Sequence, residues 1–102
     1  MSLSTHILDT ARGRPAPGVA VRLERADGTC LGGGATDADG RLAGLPLPAA
    51  GTYRLVFDTG AYHGADGFYP EVVVCFRVAD PAQHHHVPLL LSPFGYSTYR
   101  GS

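Results

Sequence analysis

Hydrophobic and polar residues alternate along most of this chain with the two-residue period of extended strands. Leu3 to Asp9 sets Leu3, Thr5 and Ile7 on one face and Ser4, His6 and Leu8 on the other. Val19 to Arg25 repeats the pattern, with Val19, Val21 and Leu23 predicted inward and Arg22 and Glu24 outward. Thr29 to Thr36 (weakened by Gly32-Gly33-Gly34), Leu42 to Pro48 and Thr52 to Phe57 read as further short strands. Glu71 to Val78 carries an apolar run continuous enough to predict cover on both faces. The chain closes on two extended runs, His84 to Ser92 and Tyr96 to Arg100, joined by the turn Pro93-Phe94-Gly95. In the first of these, His85, Val87, Leu89 and Leu91 share a face that reads as core. His84, His86, Pro88 and Leu90 share the other, which places imidazoles on a candidate binding surface.

Punctuation agrees with this reading. Thr10 to Gly18 is a loop, Ala26-Asp27-Gly28 a hairpin turn, and Asp37-Ala38-Asp39-Gly40 and Asp80-Pro81-Ala82-Gln83 further turns. Asp58 to Gly67 holds too many glycines for a long helix, leaving a short helical turn or two around Ala61 to Ala65, with His63 at the surface. Strands at this spacing predict an all-β, antiparallel sandwich of seven to eight strands with one short helix.

Composition narrows the function. With 102 residues, 44% of them apolar and 17% charged, the chain fits one domain over residues 1–102. A net charge of −1 gives no electrostatic footprint for nucleic acid. No run of apolar residues is long enough for a membrane span. The start, MSLSTHILDT, has neither the basic nor the apolar region of a secretory signal, so a cytoplasmic location is expected. Cys30 and Cys75, far apart and in no CxxC, are expected to be free thiols.

Candidate chemistry gathers at a few positions. The Asp37 turn starts like a calcium loop, but its twelfth position is Pro48 rather than Glu and no helices flank it. His84-His85-His86 resembles a metal tract, yet neighbouring strand residues face opposite ways. Only His84 and His86 could chelate together, with His6 as a third ligand. No adjacent acid would orient them, so no metal is expected. No Gly-x-Ser-x-Gly elbow is present, which argues against a covalent mechanism. The informative set is His6, Arg41, directly after the Asp37–Gly40 turn, His86, and the terminal Tyr99, Arg100, Gly101 and Ser102. Two imidazoles share acid–base duty near neutral pH, and a guanidinium holds planar anionic oxygens. Such a set suits hydrolysis of a small, polar, anionic substrate by an activated water.

LSTHILDTARGRPA, TDADGR, FYPEVVV and the terminal HxHVPLLLSPFGYSTYRGS together resemble the transthyretin-like 5-hydroxyisourate hydrolases over essentially the whole chain. The resemblance implies the prealbumin (transthyretin)-like sandwich and a homotetramer with its sites at the dimer–dimer interface. It also implies hydrolysis of 5-hydroxyisourate to 2-oxo-4-hydroxy-4-carboxy-5-ureidoimidazoline in urate degradation, with no cofactor. The family's strand histidine falls on His6, its post-turn arginine on Arg41, and the second histidine of its His-Tyr-His motif on His86. Its terminal tetrapeptide, which closes the substrate pocket, falls on Tyr99, Arg100, Gly101 and Ser102. Either histidine could be the base. His85 stands where the family usually has tyrosine, and it is expected to point away from the site. Two rivals remain, a transthyretin-like carrier of small ligands without catalysis and a structural sandwich module.

Overall fold

A computed structural model describes residues 2–102. In chain order its strands are β1 (Ser2–Asp9), β2 (Arg14–Pro15), β3 (Ala20–Arg25), β4 (Cys30–Ala35) and β5 (Arg41–Pro46). They continue with β6 (Gly51–Phe57), β7 (Val72–Val78), β8 (His85–His86), β9 (Leu89–Ser92) and β10 (Gly95–Thr98). The single α-helix, α1 (Thr59–His63), falls between β6 and β7 and runs into a 3₁₀ turn at Gly64–Asp66. The Asp58 carboxylate caps α1 by accepting from the Ala61 amide, and Gly64 at φ 64° ends it. Among the described residues no helix is long and apolar enough to cross a membrane.

The strands form two sheets, and β1 is the axis of the first. One of its edges pairs antiparallel with β5 and then with β2. The other pairs parallel with β8 and then β9, and β10 adds antiparallel to β9. The second sheet has the order β4-β3-β6-β7, antiparallel throughout. Leu3, Ile7, Leu89 and Leu91 share a buried cluster with Val21, Leu23, Leu55, Phe57 and Val72 from the facing sheet. Each such side chain contributes about 1.5–3 kcal/mol by leaving water. The predicted sandwich with one short helix is therefore present. It has ten strands because Arg14–Pro15 adds a two-residue pair and the His84–Ser92 run is split in two. The split falls at Pro88, which has no N–H to give to the ladder on β1.

Alternation on β1 follows the sequence pattern, with Leu3, Thr5 and Ile7 buried and Ser4, His6 and Leu8 half-buried on the outer face. Thr5 is tolerated inside because its hydroxyl donates to the Val87 carbonyl at 2.6 Å. Three expectations fail. Glu24 shares the outer face with Arg22 but is buried there rather than solvated, because Arg22 Nε at 2.7 Å and Arg54 Nε at 3.9 Å cover its carboxylate. The outer face of β7 is open, with Cys75 and Arg77 exposed, because β7 is an edge strand with no layer over it within this chain. His63 is not simply superficial: it is half-buried beside Tyr62, and its Nε2 is buried without a hydrogen-bond partner. Cys30 and Cys75 are free and exposed.

Candidate active site

The candidate residues His6, Arg41 and His86 gather around the outer face of β1. Strand register places His6 opposite Arg41 on β5 and Ser4 opposite His86 on β8. One central strand therefore holds its arginine partner on one side and its second histidine on the other. Arg41 is aimed by the turn before it. Asp37 accepts from the amides of both Asp39 and Arg41 at 2.9 Å, and the Gly40 amide donates to the Asp37 carbonyl. Gly40 sits at φ +74°, and a Cβ there would lie 2.5 Å from the Ile7 carbonyl oxygen. Only glycine lets this turn lie against β1, where the Ile7 amide donates to the Gly40 carbonyl at 2.8 Å.

The two histidines are anchored by opposite nitrogens. His6 Nε2 lies 2.9 Å from the Asp39 carbonyl oxygen, which can only accept, so Nε2 carries hydrogen and Nδ1 stays open in the neutral ring. His86 Nδ1 lies 2.7 Å from Ser4 Oγ, and no hydrogen bond within the described residues engages its Nε2. His86 is held below the ordinary histidine value, by burial first and then by the charges of Arg41, His6 and His84, against a smaller opposing effect of the Ser4 backbone. It is thus poised neutral, as a base needs to be. Arg41 has no ion pair, and no carboxylate lies within salt-bridge distance of His6 or His86 among the described residues. A guanidinium without an acidic partner on this face suits an anionic ligand.

Ser4 was not distinguished by the sequence reading. Its alternation put it on the face of His6, but nothing in a lone strand serine signals that it bridges two imidazoles. Its Oγ also lies 3.0 Å from His84 Nε2, while His84 Nδ1 lies 3.2 Å from Ser2 Oγ. Sequence reasoning used His84 only as a possible chelator. Among the described residues no three His, Cys, Asp or Glu side chains converge as a metal site.

The terminal tetrapeptide divides. Gly101 docks on the site: its amide donates to the His86 carbonyl at 2.8 Å, and a Cβ on it would lie 2.5 Å from His86 Cδ2. Tyr99 and Arg100, beyond the end of β10, line a cavity of about 250 Å³ at the edge of the sandwich with Cys75, Phe76, His85 and Val87. No hydrogen bond or ion pair joins Tyr99, Arg100 or Ser102 to His6, Arg41 or His86 within the described residues. His85 is buried, donates from Nδ1 to the Gln83 carbonyl at 2.9 Å, and faces away from the site as expected. A separate polar niche of about 100 Å³ lies near the other end of β1, where the Tyr62 hydroxyl donates to Asp9 at 2.6 Å. Burial acts to raise the Asp9 carboxyl. The Tyr62 hydroxyl, the Arg12 and Ala11 amides and the Arg12 guanidinium outweigh it and hold the group below its ordinary value.

Comparison with known proteins agrees with this architecture. A family profile described as "HIUase/Transthyretin family" matches residues 3–101. The 5-hydroxyisourate hydrolase of Salmonella dublin is 51% identical over 109 aligned residues, covering 98% of this chain and 80% of that protein. The solved structure of Klebsiella pneumoniae 5-hydroxyisourate hydrolase superposes with a TM-score of 0.87 at 42% identity, covering all of both chains. Sea bream transthyretin in complex with thyroxine superposes with a TM-score of 0.85 at 39% identity, covering 97% of this chain and 93% of that one.

Proposed function

Because the chain belongs to the HIUase/Transthyretin family, we propose that it hydrolyses 5-hydroxyisourate to 2-oxo-4-hydroxy-4-carboxy-5-ureidoimidazoline in urate degradation. The observation that carries this reading is the outer face of β1, where two anchored imidazoles and a guanidinium meet with no carboxylate paired to them among the described residues. In this mechanism Arg41 binds and polarises the urate-like oxygens. His86 takes a proton from water through Nε2 as the oxygen adds to the ring amide carbonyl, and His6 accepts from that water or from a substrate N–H through Nδ1. Tyr99, Arg100, Gly101 and Ser102 close the pocket, with Gly101 seated on His86. No metal or organic cofactor takes part.

The active assembly in this reading is a homotetramer, with residues 1–102 as one catalytic domain in each subunit and the sites between dimers. Two features support it. Three cavities among the described residues have none of His6, Arg41 or His86 in their walls, and a facing copy would exclude water from that open face. The edge strands β7 and β10 each pair on one side only, and exposed Tyr96 and Tyr99 lie on or just beyond β10. The substrate is a small molecule, with neither nucleic acid nor membrane as partner. The free, exposed cysteines support a reducing, cytoplasmic setting.

The test adds freshly generated 5-hydroxyisourate to chelator-treated protein and follows loss of its ultraviolet absorbance. Decay well above the spontaneous rate, abolished in His6→Ala, is expected. A folded tetramer giving no acceleration would put the carrier reading in front, and decay that required added zinc would revive a three-histidine metal site.

A further inference from the structure

His86 Nδ1 and His84 Nε2 approach the same hydroxyl, Ser4 Oγ, at 2.7 and 3.0 Å. A hydroxyl between two ring nitrogens can accept from one and donate to the other, in either direction. In one polarity the His86 Nδ1–H donates to Ser4, and Ser4 donates to His84 Nε2. The lone pair of His86 then sits on Nε2, the nitrogen that no protein group engages. In the opposite polarity Nε2 of His86 carries the hydrogen and the base is blocked. His84 is exposed, and its Nδ1 faces Ser2 Oγ at 3.2 Å. A positive charge on His84 is therefore solvated, whereas the same charge on His86 would sit half-buried beside Arg41 and His6.

We propose that Ser4 is a positioning residue that holds His86 as its Nδ1–H tautomer, and that Ser4 and His84 form a relay carrying the abstracted proton away from Arg41. The proposal rests on the hydrolase reading for its chemistry. As water adds to the carbonyl carbon, its O–H bond breaks and the proton goes to His86 Nε2. The Nδ1 proton passes to Ser4 Oγ, the Ser4 proton passes to His84 Nε2, and the charge resides on exposed His84. When the ring C–N bond breaks, the proton returns by the same three groups and leaves on the ring nitrogen. One proton enters the relay and one leaves it. The charged and titratable groups that bear on His86 are Arg41 from β5, His6 from β1 and His84 next to β8.

The test uses full-length protein in its native assembly, with Ser4→Ala, Ser4→Thr and His84→Gln. Ser4→Ala is expected to lower kcat about tenfold or more with KM within about twofold, and to distort the acid limb of the pH profile. Ser4→Thr keeps a hydroxyl and should recover to within about threefold of wild type. His84→Gln still accepts from Ser4 but takes no proton, so kcat falls while the His86 tautomer is kept. The tautomer is read without substrate from the ring ¹⁵N shifts of labelled histidine: Nδ1–H in wild type and His84→Gln, mixed in Ser4→Ala. An unchanged tautomer in Ser4→Ala, or a Ser4→Thr as slow as the alanine variant, overturns the positioning role. A His84→Gln enzyme at full rate overturns the relay. Wild type without turnover would instead sink the hydrolase reading and the relay with it, while the tautomer shift would still decide whether Ser4 positions His86.

Discussion

The outer faces of the two sheets are built by the same alternation and carry opposite electrostatics. On the second sheet, Arg22 reaches Glu24 at 2.7 Å and Glu71 at 3.8 Å, and Arg54 reaches Glu24 at 3.9 Å, so each of these cations has a carboxylate within the layer. On the first sheet Arg41 has no carboxylate partner among the described residues, and His6, His84 and His86 bond to serine hydroxyls and a backbone carbonyl. Paired charges hold a surface together, whereas a guanidinium with no carboxylate beside it among the described residues leaves its demand for an anion to a ligand. A count of charged residues would not separate the two faces, but their partners do.

The sharpest way to break that contrast is to remove His86. His86→Ala should cost about 10²-fold or more in kcat, the scale of a general base. Near-normal turnover in a folded assembly would remove His86 from the mechanism. Next comes Gly101→Ala, whose new Cβ must push the His86 ring aside. Turnover should fall about tenfold, measured beside an unchanged circular dichroism spectrum. If the rate is kept, the seating of Gly101 on His86 has no catalytic meaning.

A smaller effect sharpens the electrostatics. Because His86 is lowered from 6.5, its neutral form survives below that value, and the acid limb of kcat/KM in the wild type should lie under pH 6.5. Burial is the larger cause and persists, while Arg41→Gln removes one positive neighbour. The limb of that slower variant should move to higher pH, and a limb that stays put or moves down would show that Arg41 does not act on His86. Linkage has the matching sign: a fold that favours the neutral ring loses stability as pH falls below 6.5 and gains nothing above it. The smallest effect belongs to the other sheet. Glu24→Gln should leave kcat unaltered and lower Tm by no more than about 4 °C. Lost activity there would dissolve the contrast between the faces.

Much of this was legible in the sequence because it depends on period and turn chemistry. The alternation of Leu3–Asp9 placed His6 outside, and the same rule put His85 in and His86 out. Asp37–Gly40 announced the turn that aims Arg41. What was not legible depends on which strands meet. The parallel pairing of β1 with β8 brings Ser4 to His86, although 82 positions separate them. Glu24 reads as an outward acid until Arg54, from the neighbouring strand, comes to meet it. His63 looks superficial until α1 folds its Nε2 out of reach of water. The outer face of β7 is apolar enough to suggest cover, yet Cys75 and Arg77 stand exposed on it.

β1 is hydrogen-bonded along both edges, to β5 and β2 on one side and β8 and β9 on the other. The strand that bears Ser4 and His6 therefore cannot exchange its paired amides by fraying at a rim, as the one-sided strands β7 and β10 can. It opens only when the sheet comes apart. In hydrogen-exchange terms, the Ile7 amide is expected in the slowest class, governed by global unfolding. At protein concentrations that keep the assembly intact, activity and fold should then vanish at a single denaturant midpoint.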